Sequence, residues 1–143
     1  MNQISKSPYE LVLFSAKDIN GNEIYHTNVI MSVLAKHIII CIEAISDENE
    51  RKTIEYHLKI SGKKIIIISL EEMMNFGGNI ISIKDSDSRD VLILCKTAFS
   101  NYRPEIIEEL KQHYELCISD IPTIENVGGG SCRCMVAQIF TYE

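Results

Sequence analysis

His37-Ile38-Ile39-Ile40-Cys41-Ile42 and Lys64-Ile65-Ile66-Ile67-Ile68-Ser69 are two short, almost wholly apolar runs with a polar, helix-periodic segment between them. Runs of this length, rich in β-branched residues and bounded by polar positions, predict strands. Between them Asp47 and Glu50 stand at capping-box spacing, and Ile54 and Leu58 fall on one helical face. Gly62 follows, able to take the left-handed conformation that ends a helix. With a further strand at residues 28–34 ahead of them, the segments read as strand (Asn28 to Leu34), strand (His37 to Ile42), helix (Asp47 to Ile60) and strand (Lys64 to Ser69).

The same order returns further on: strand (Asn79 to Ile83), strand (Asp90 to Cys95), helix (Pro104 to His113) and strand (Glu115 to Ser119). Pro104 suits the first turn of a helix, and Ile106, Ile107, Leu110 and Tyr114 form the matching apolar stripe. The unit is therefore ββαβ, with a period of about 50 residues, in the range of propeller-like arrays. Asn20-Gly21 and the polar run from Asp85 to Arg89 read as turns. A lone alternating strand from Leu11 to Lys17 precedes the first unit, and a strand-like segment from Arg133 to Phe140 follows the second. No linker or low-complexity tract divides residues 1–143, which are expected to form a single partial domain of roughly two and a half units without polar caps.

Composition narrows the possibilities. The 143 residues are 45% hydrophobic and 24% charged, enough apolar material for a core. The 14 Lys+Arg against 20 Asp+Glu leave a net charge of −6, which argues against a nucleic-acid partner. The apolar runs fall far short of the roughly 18 residues of a membrane span, and Met1 to Glu10 hold no signal-like segment. A cytoplasmic protein without a membrane partner is expected.

Of the five cysteines, Cys41, Cys95 and Cys117 lie in β-branched apolar runs and read as inert core. Cys132 and Cys134 lie in Gly128-Gly129-Gly130-Ser131-Cys132-Arg133-Cys134-Met135, where successive glycines permit a sharp turn or the close approach of a ligand. A cysteine beside the cationic Arg133 has a route to nucleophilicity. The segment reads equally well as a glycine loop entering an edge strand with two thiols. Cys-x-Cys is too narrow, and too isolated, for a zinc site, and no metal or other cofactor is expected. His26, in Ile24-Tyr25-His26-Thr27-Asn28-Val29, follows a turn at the mouth of a strand, where a general acid/base is presented; a structural or exposed histidine also fits there. His37, His57 and His113 read as structural.

Three ordered motifs, Ile24 to Val29, Asn75-Phe76-Gly77-Gly78-Asn79, and Ile124-Glu125-Asn126-Val127-Gly128-Gly129-Gly130-Ser131 through Cys134-Met135-Val136-Ala137, resemble the guanidine-modifying (amidinotransferase/arginine deiminase) superfamily, most nearly its citrulline-utilisation branch. The likeness runs along nearly the whole chain and matches the C-terminal half of that family. It implies an α+β fold of ββαβ units from an α/β propeller, a pentein-like fan, about half of the closed five-unit form. It also implies a Cys nucleophile at Cys134 and a His acid/base at His26, Arg133 preceding the nucleophile where it touches a substrate carboxylate or tunes the thiol, and no role for Cys132. Where arginine deiminases carry an acidic residue, this chain has Asn28, an amide better matched to a neutral ureido group than to a guanidinium cation.

The expected function is thus hydrolysis or amidino transfer on a small guanidino or ureido compound. In the family the carboxylates that grip substrate come from the N-terminal half, and nothing before Pro8 supplies them here. A separately encoded N-terminal half, or a homo-oligomer of this chain, is the expected partner. The alternative is a non-catalytic remnant or self-associating binding module that retains the fold.

Overall fold

The computed structural model describes residues 10–137 and Ile139. In chain order its elements are α1 (Thr27–Ile30), β1 (Met31–Val33), β2 (His37–Ile40), α2 (Glu48–Ile60), β3 (Lys64–Ile67), α3 (Leu70–Met74), β4 (Ile81–Lys84), β5 (Asp90–Cys95), α4 (Lys96–Asn101), α5 (Pro104–His113), β6 (Glu115–Ser119) and α6 (Pro122–Gly128). Two three-stranded sheets, β1-β2-β3 and β4-β5-β6, repeat one topology. In each the first pair is antiparallel and the second, spanning the helical crossover, is parallel. The ββαβ repeat expected from the sequence is present twice.

The unbroken apolar run of β2, the central strand, is explained by burial on both sides, whereas β3 is an outer strand and its Ile67 is 53% exposed. Ile38 and Ile40 face α2, packing with Ile54 and Leu58, while Ile39 and Cys41 join a larger core with Leu92, Leu94, Ile106 and Leu110 of the second unit. The two units thus share one interior. Each fully buried Ile or Leu contributes about 1.5–3 kcal/mol of transfer free energy. Polar contacts reinforce the seam: Ser32 Oγ lies 2.7 Å from the carbonyl oxygens of both Gly78 and Ile80, which share its one proton, and the Ala35 N–H donates to Ser82 Oγ at 2.9 Å.

Several boundaries differ from the sequence reading, for physical reasons. Residues 28–30 are a helical turn, closed by the Val29 N–H on His26 O at 3.0 Å, so the strand begins at Met31. Asp47 caps α2 by accepting from the Asn49 and Glu50 N–H groups, but Glu50 does not complete a capping box; its carboxylate takes the Ser15 N–H at 2.7 Å instead. Residues 11–17 pair only through isolated bridges, Ala16 with Ile45 and Lys17 with Glu23, and form no strand. Cys132–Met135 is a 3-10 turn rather than the start of a strand; the far end of the expected strand, at Phe140, lies outside the described residues. Cys117 is exposed rather than core, because β6 is the outer strand of its sheet.

Besides α1, the sequence reading did not resolve three further helices, which are short and each have a local cause. Ser69 and Glu72 form a reciprocal capping box on α3, Cys95 Sγ accepts from the Ala98 N–H at the start of α4, and Pro122 opens α6. Glu72 is 4% exposed and also binds Arg103 through its N–H at 3.0 Å and its Nε at 3.1 Å. Burial alone would raise the Glu72 carboxyl; the Ser69 and Arg103 donors outweigh it and hold it below the usual glutamate value. A carboxylate depressed in the folded state stabilises above its unfolded pKa of about 4.3 and loses that contribution as the pH falls through the folded value. Glu72→Gln is therefore expected to cost about 2 kcal/mol at neutral pH. It is also expected to flatten the acid limb of stability, read as urea midpoints across this pH range.

Candidate functional site

Three chain segments far apart in sequence meet at one cavity of about 560 Å³. Its wall comprises His26, Asn28 and Val29 from the start of α1, Met73, Met74 and Phe76 from the end of α3, Asn79 ahead of β4, and Gly128 to Gly130 with Cys134 after α6. Cys134 and His26, 108 positions apart and unable to meet except through the fold, line the same space. Both are exposed.

Two amides bracket the Cys134 sulfur. Asn79 Nδ2 donates to Sγ at 3.0 Å and Asn28 Nδ2 at 3.5 Å. Both contacts are donors to sulfur, the polarity an attacking thiolate needs. Asn79 is 3% exposed and ties the site together. Its Oδ1 accepts the N–H groups of Arg133 at 3.1 Å and Cys134 at 3.4 Å, and its Nδ2 also reaches Asn28 O at 3.3 Å. Asn28 Oδ1, by contrast, is buried with no hydrogen-bond partner among the described residues. A buried acceptor without a donor costs free energy.

The glycine loop is shaped around the sulfur. Gly129, at φ +67°, takes the left-handed position that ends α6, and a Cβ at Gly130 would lie 3.1 Å from both Cβ and Sγ of Cys134. Glu125, 8% exposed, pins the loop from behind: its carboxylate accepts from Ser131 Oγ at 3.2 Å and from Thr97 Oγ1 at 2.7 Å. The other thiols near this region are quiescent. Burial, with Glu125 adding to it, pushes Cys95 up to about 11, and burial raises Cys132 and, nearer β2, Cys41 as well.

Of the sequence-expected residues, Cys134, His26 and Asn28 are brought together. Arg133 is not on this cavity: its guanidinium donates to Val136 O at 3.2 Å, and its side chain lines a neighbouring concavity with Thr27, Met31 and Ile80. Asn79 was quoted in the sequence only as part of a motif. The signal for it is its place directly after Gly77-Gly78, where the missing side chains let Gly77 pack on the Glu72 carbonyl of α3 and Gly78 on the backbone of α1.

A thiol and an imidazole on loops of repeated ββαβ units, with amides on the sulfur, define the class: the guanidine-modifying pentein superfamily. Within it the chain belongs to the family described as N,N dimethylarginine dimethylhydrolase, eukaryotic, whose model matches residues 1–141. That description differs from the citrulline-utilisation branch the motifs most nearly resemble. No curated protein sequence matches the chain. Among solved structures, ArgZ, an arginine dihydrolase from the ornithine-ammonia cycle in cyanobacteria, shares the fold at a TM-score of 0.60 and 17% identity over 83% of this chain. AgrE, solved as a ternary complex with ornithine and NAD+, shares it at a TM-score of 0.57 and 18% identity over 78% of this chain. The matched parts are 17% and 14% of those two chains, so this chain spans a small share of either. No described helix is long and apolar enough to cross a membrane.

Proposed function

We propose that the chain carries the nucleophile-bearing part of a hydrolase for small guanidino or ureido compounds, with Cys134 as nucleophile and His26 as acid/base. The observation that carries this reading is the convergence of both residues on one cavity with two amide donors on Sγ. The Cys134 thiolate attacks the central carbon of the planar group. The bond to the leaving nitrogen then breaks, its electron pair departing on the amine, which takes a proton from His26. A C–S intermediate remains. Water gives a proton to His26 and adds to that carbon, the C–S bond breaks to release a ureido product from a guanidino substrate or a carbamate from a ureido one, and the thiolate is restored. Asn28 stands on the cavity wall beside the sulfur, and as a neutral amide it favours ureido over guanidinium groups.

The cavity wall offers amides, apolar side chains, thiol and imidazole among the described residues. The carboxylates that would match a charged substrate are proposed to come from a second polypeptide, either a separate N-terminal half or another copy, completing a closed α/β propeller. The fair reference for thiol reactivity is Cys117, which is exposed but away from the cavity; Cys132 is buried and slow for that reason alone. With a haloacetamidine, a cationic planar electrophile, Cys134 is expected to be modified at least about tenfold faster than Cys117, followed by peptide mass spectrometry. Equal rates would remove the case for an activated nucleophile. Asn28→Asp is expected to shift the Cys134 preference from neutral iodoacetamide toward the cationic reagent, and in a competent assembly toward arginine-type substrates.

A further inference from the structure

On the opposite side of the fold from the loops just described, His37 of β2 meets Glu109 and His113 of α5. His37 Nε2 lies 3.0 Å and His113 Nε2 3.2 Å from the same oxygen, Glu109 Oε1, and the three ligand atoms all fall within 4.8 Å of one another. Three atoms around a tetrahedral zinc ion at 2.0–2.1 Å stand about 3.3 Å apart, so the observed edges to Oε1 need only small adjustment. We infer that His37, Glu109 and His113 form a binding site for a zinc-class divalent cation, holding it with two imidazole nitrogens and one carboxylate oxygen and leaving a fourth position for water.

The supporting groups are already in place. His37 is 1% exposed, and its other nitrogen, Nδ1, is 3.0 Å from Tyr114 Oη, which also accepts the Lys36 N–H at 2.9 Å. With Nδ1 protonated and donating to that phenol, Nε2 presents its lone pair to the metal; this is the tautomer-fixing contact that metal-bound histidines commonly have. Without metal the ring can take the other tautomer, Nε2–H donating to Glu109 and the phenol donating to Nδ1, which pairs both ring nitrogens. Glu109 and His113 stand at i and i+4 on one face of α5, and His113 is 35% exposed, which gives the ion a way in. One group opposes binding: Lys64 Nζ, 60% exposed, sits 2.6 Å from Glu109 Oε2. It occupies the oxygen the metal does not need.

His37 belongs to the first ββαβ unit and α5 to the second, so a bound ion would clamp the two units across their seam. The test is titration of Zn2+ into the full chain, with exposed thiols first capped by iodoacetamide so that cysteines cannot supply ligands, together with Co2+ absorption. The expected results are one Zn2+ per chain, a tetrahedral cobalt spectrum without sulfur charge transfer, and a Zn2+-dependent rise in unfolding temperature. His113→Ala, a change at a part-exposed position, is expected to weaken binding by roughly 100-fold and abolish the thermal shift. Lys64→Ala is expected to tighten binding about threefold, since it removes the competing cation. Absence of Zn2+ binding into the millimolar range overturns the site, as does binding that His113→Ala leaves intact.

Discussion

Gly78→Ala is expected to lower stability by about 3 kcal/mol or more, one of the largest effects of any single methyl group in this chain. A Cβ at Gly78 would press into the carbonyl oxygen of Val29 and lie 2.8 Å from Val29 C and 3.0 Å from Ile30 C. All three are backbone atoms, so no side-chain rotation relieves the contact. The neighbouring chain cannot move away freely either, because Ser32 Oγ holds the Gly78 and Ile80 carbonyls, Tyr102 Oη donates to Gly77 O, and the Cys41 N–H binds Ile30 O at 2.8 Å. The strain falls between Asn28 and Asn79, the two amides on the sulfur. Loss of stability is therefore expected to come with loss of the Cys134 rate advantage over Cys117. Gly128→Ala is the control: its Cβ meets only Ile124 Cγ2 at 3.9 Å, so it should be neutral or slightly stabilising although it lies in the same cavity wall. An unchanged urea midpoint for Gly78→Ala would mean that the close packing of these two segments is not required.

The elements legible in the sequence were those whose cause is local. β5, α5 and β6 fall on the residues the pattern gives, because apolar runs and the Pro104 start signal act over a few positions. The Ser69–Glu72 capping box is equally visible, but Ser69 also ends an apolar run that reads as a strand, and a five-residue helix leaves too little periodicity to compete. Glu50 shows the reverse error: the spacing for a reciprocal cap is present, yet a partner 35 residues away, the Ser15 N–H, takes its carboxylate. The exposure of Cys117 depends on which strand ends up outermost, a property of the sheet that the ELCIS run does not encode. The site divides in the same way. Cys134 and His26 are identifiable by residue type and motif, whereas the displacement of Arg133 to a neighbouring concavity follows from the 3-10 turn at Cys132–Met135, which points alternate side chains in different directions.

Asn79 is where these two kinds of information meet, and its replacement is expected to have the largest effect on reactivity. Its side chain does two separable things. Oδ1 accepts the backbone N–H groups of Arg133 and Cys134, which fixes the turn carrying the nucleophile; Nδ2 donates to Sγ and to Asn28 O. Asn79→Ala removes both and leaves the Arg133 N–H only its long backbone bond to residue 79 O, 3.4 Å, and the Cys134 N–H only Ser131 O, 3.0 Å, at a cost of about 1–2 kcal/mol. It is expected to slow Cys134 modification by roughly 100-fold, the scale of losing preorganised donors at a reacting atom. Asn79→Asp separates the two roles. The carboxylate still accepts from Arg133 and Cys134, so the turn should persist and most of the stability with it. It donates nothing to sulfur, however, and places negative charge beside the attacking thiolate. The expected result is a folded protein with Cys134 slowed at least as much as in Asn79→Ala and with an unfolding midpoint nearer to wild type. If Asn79→Asp instead alkylates at the wild-type rate, the contact to Sγ is a by-product of holding the turn, and activation of the thiol must be sought at His26 and Asn28.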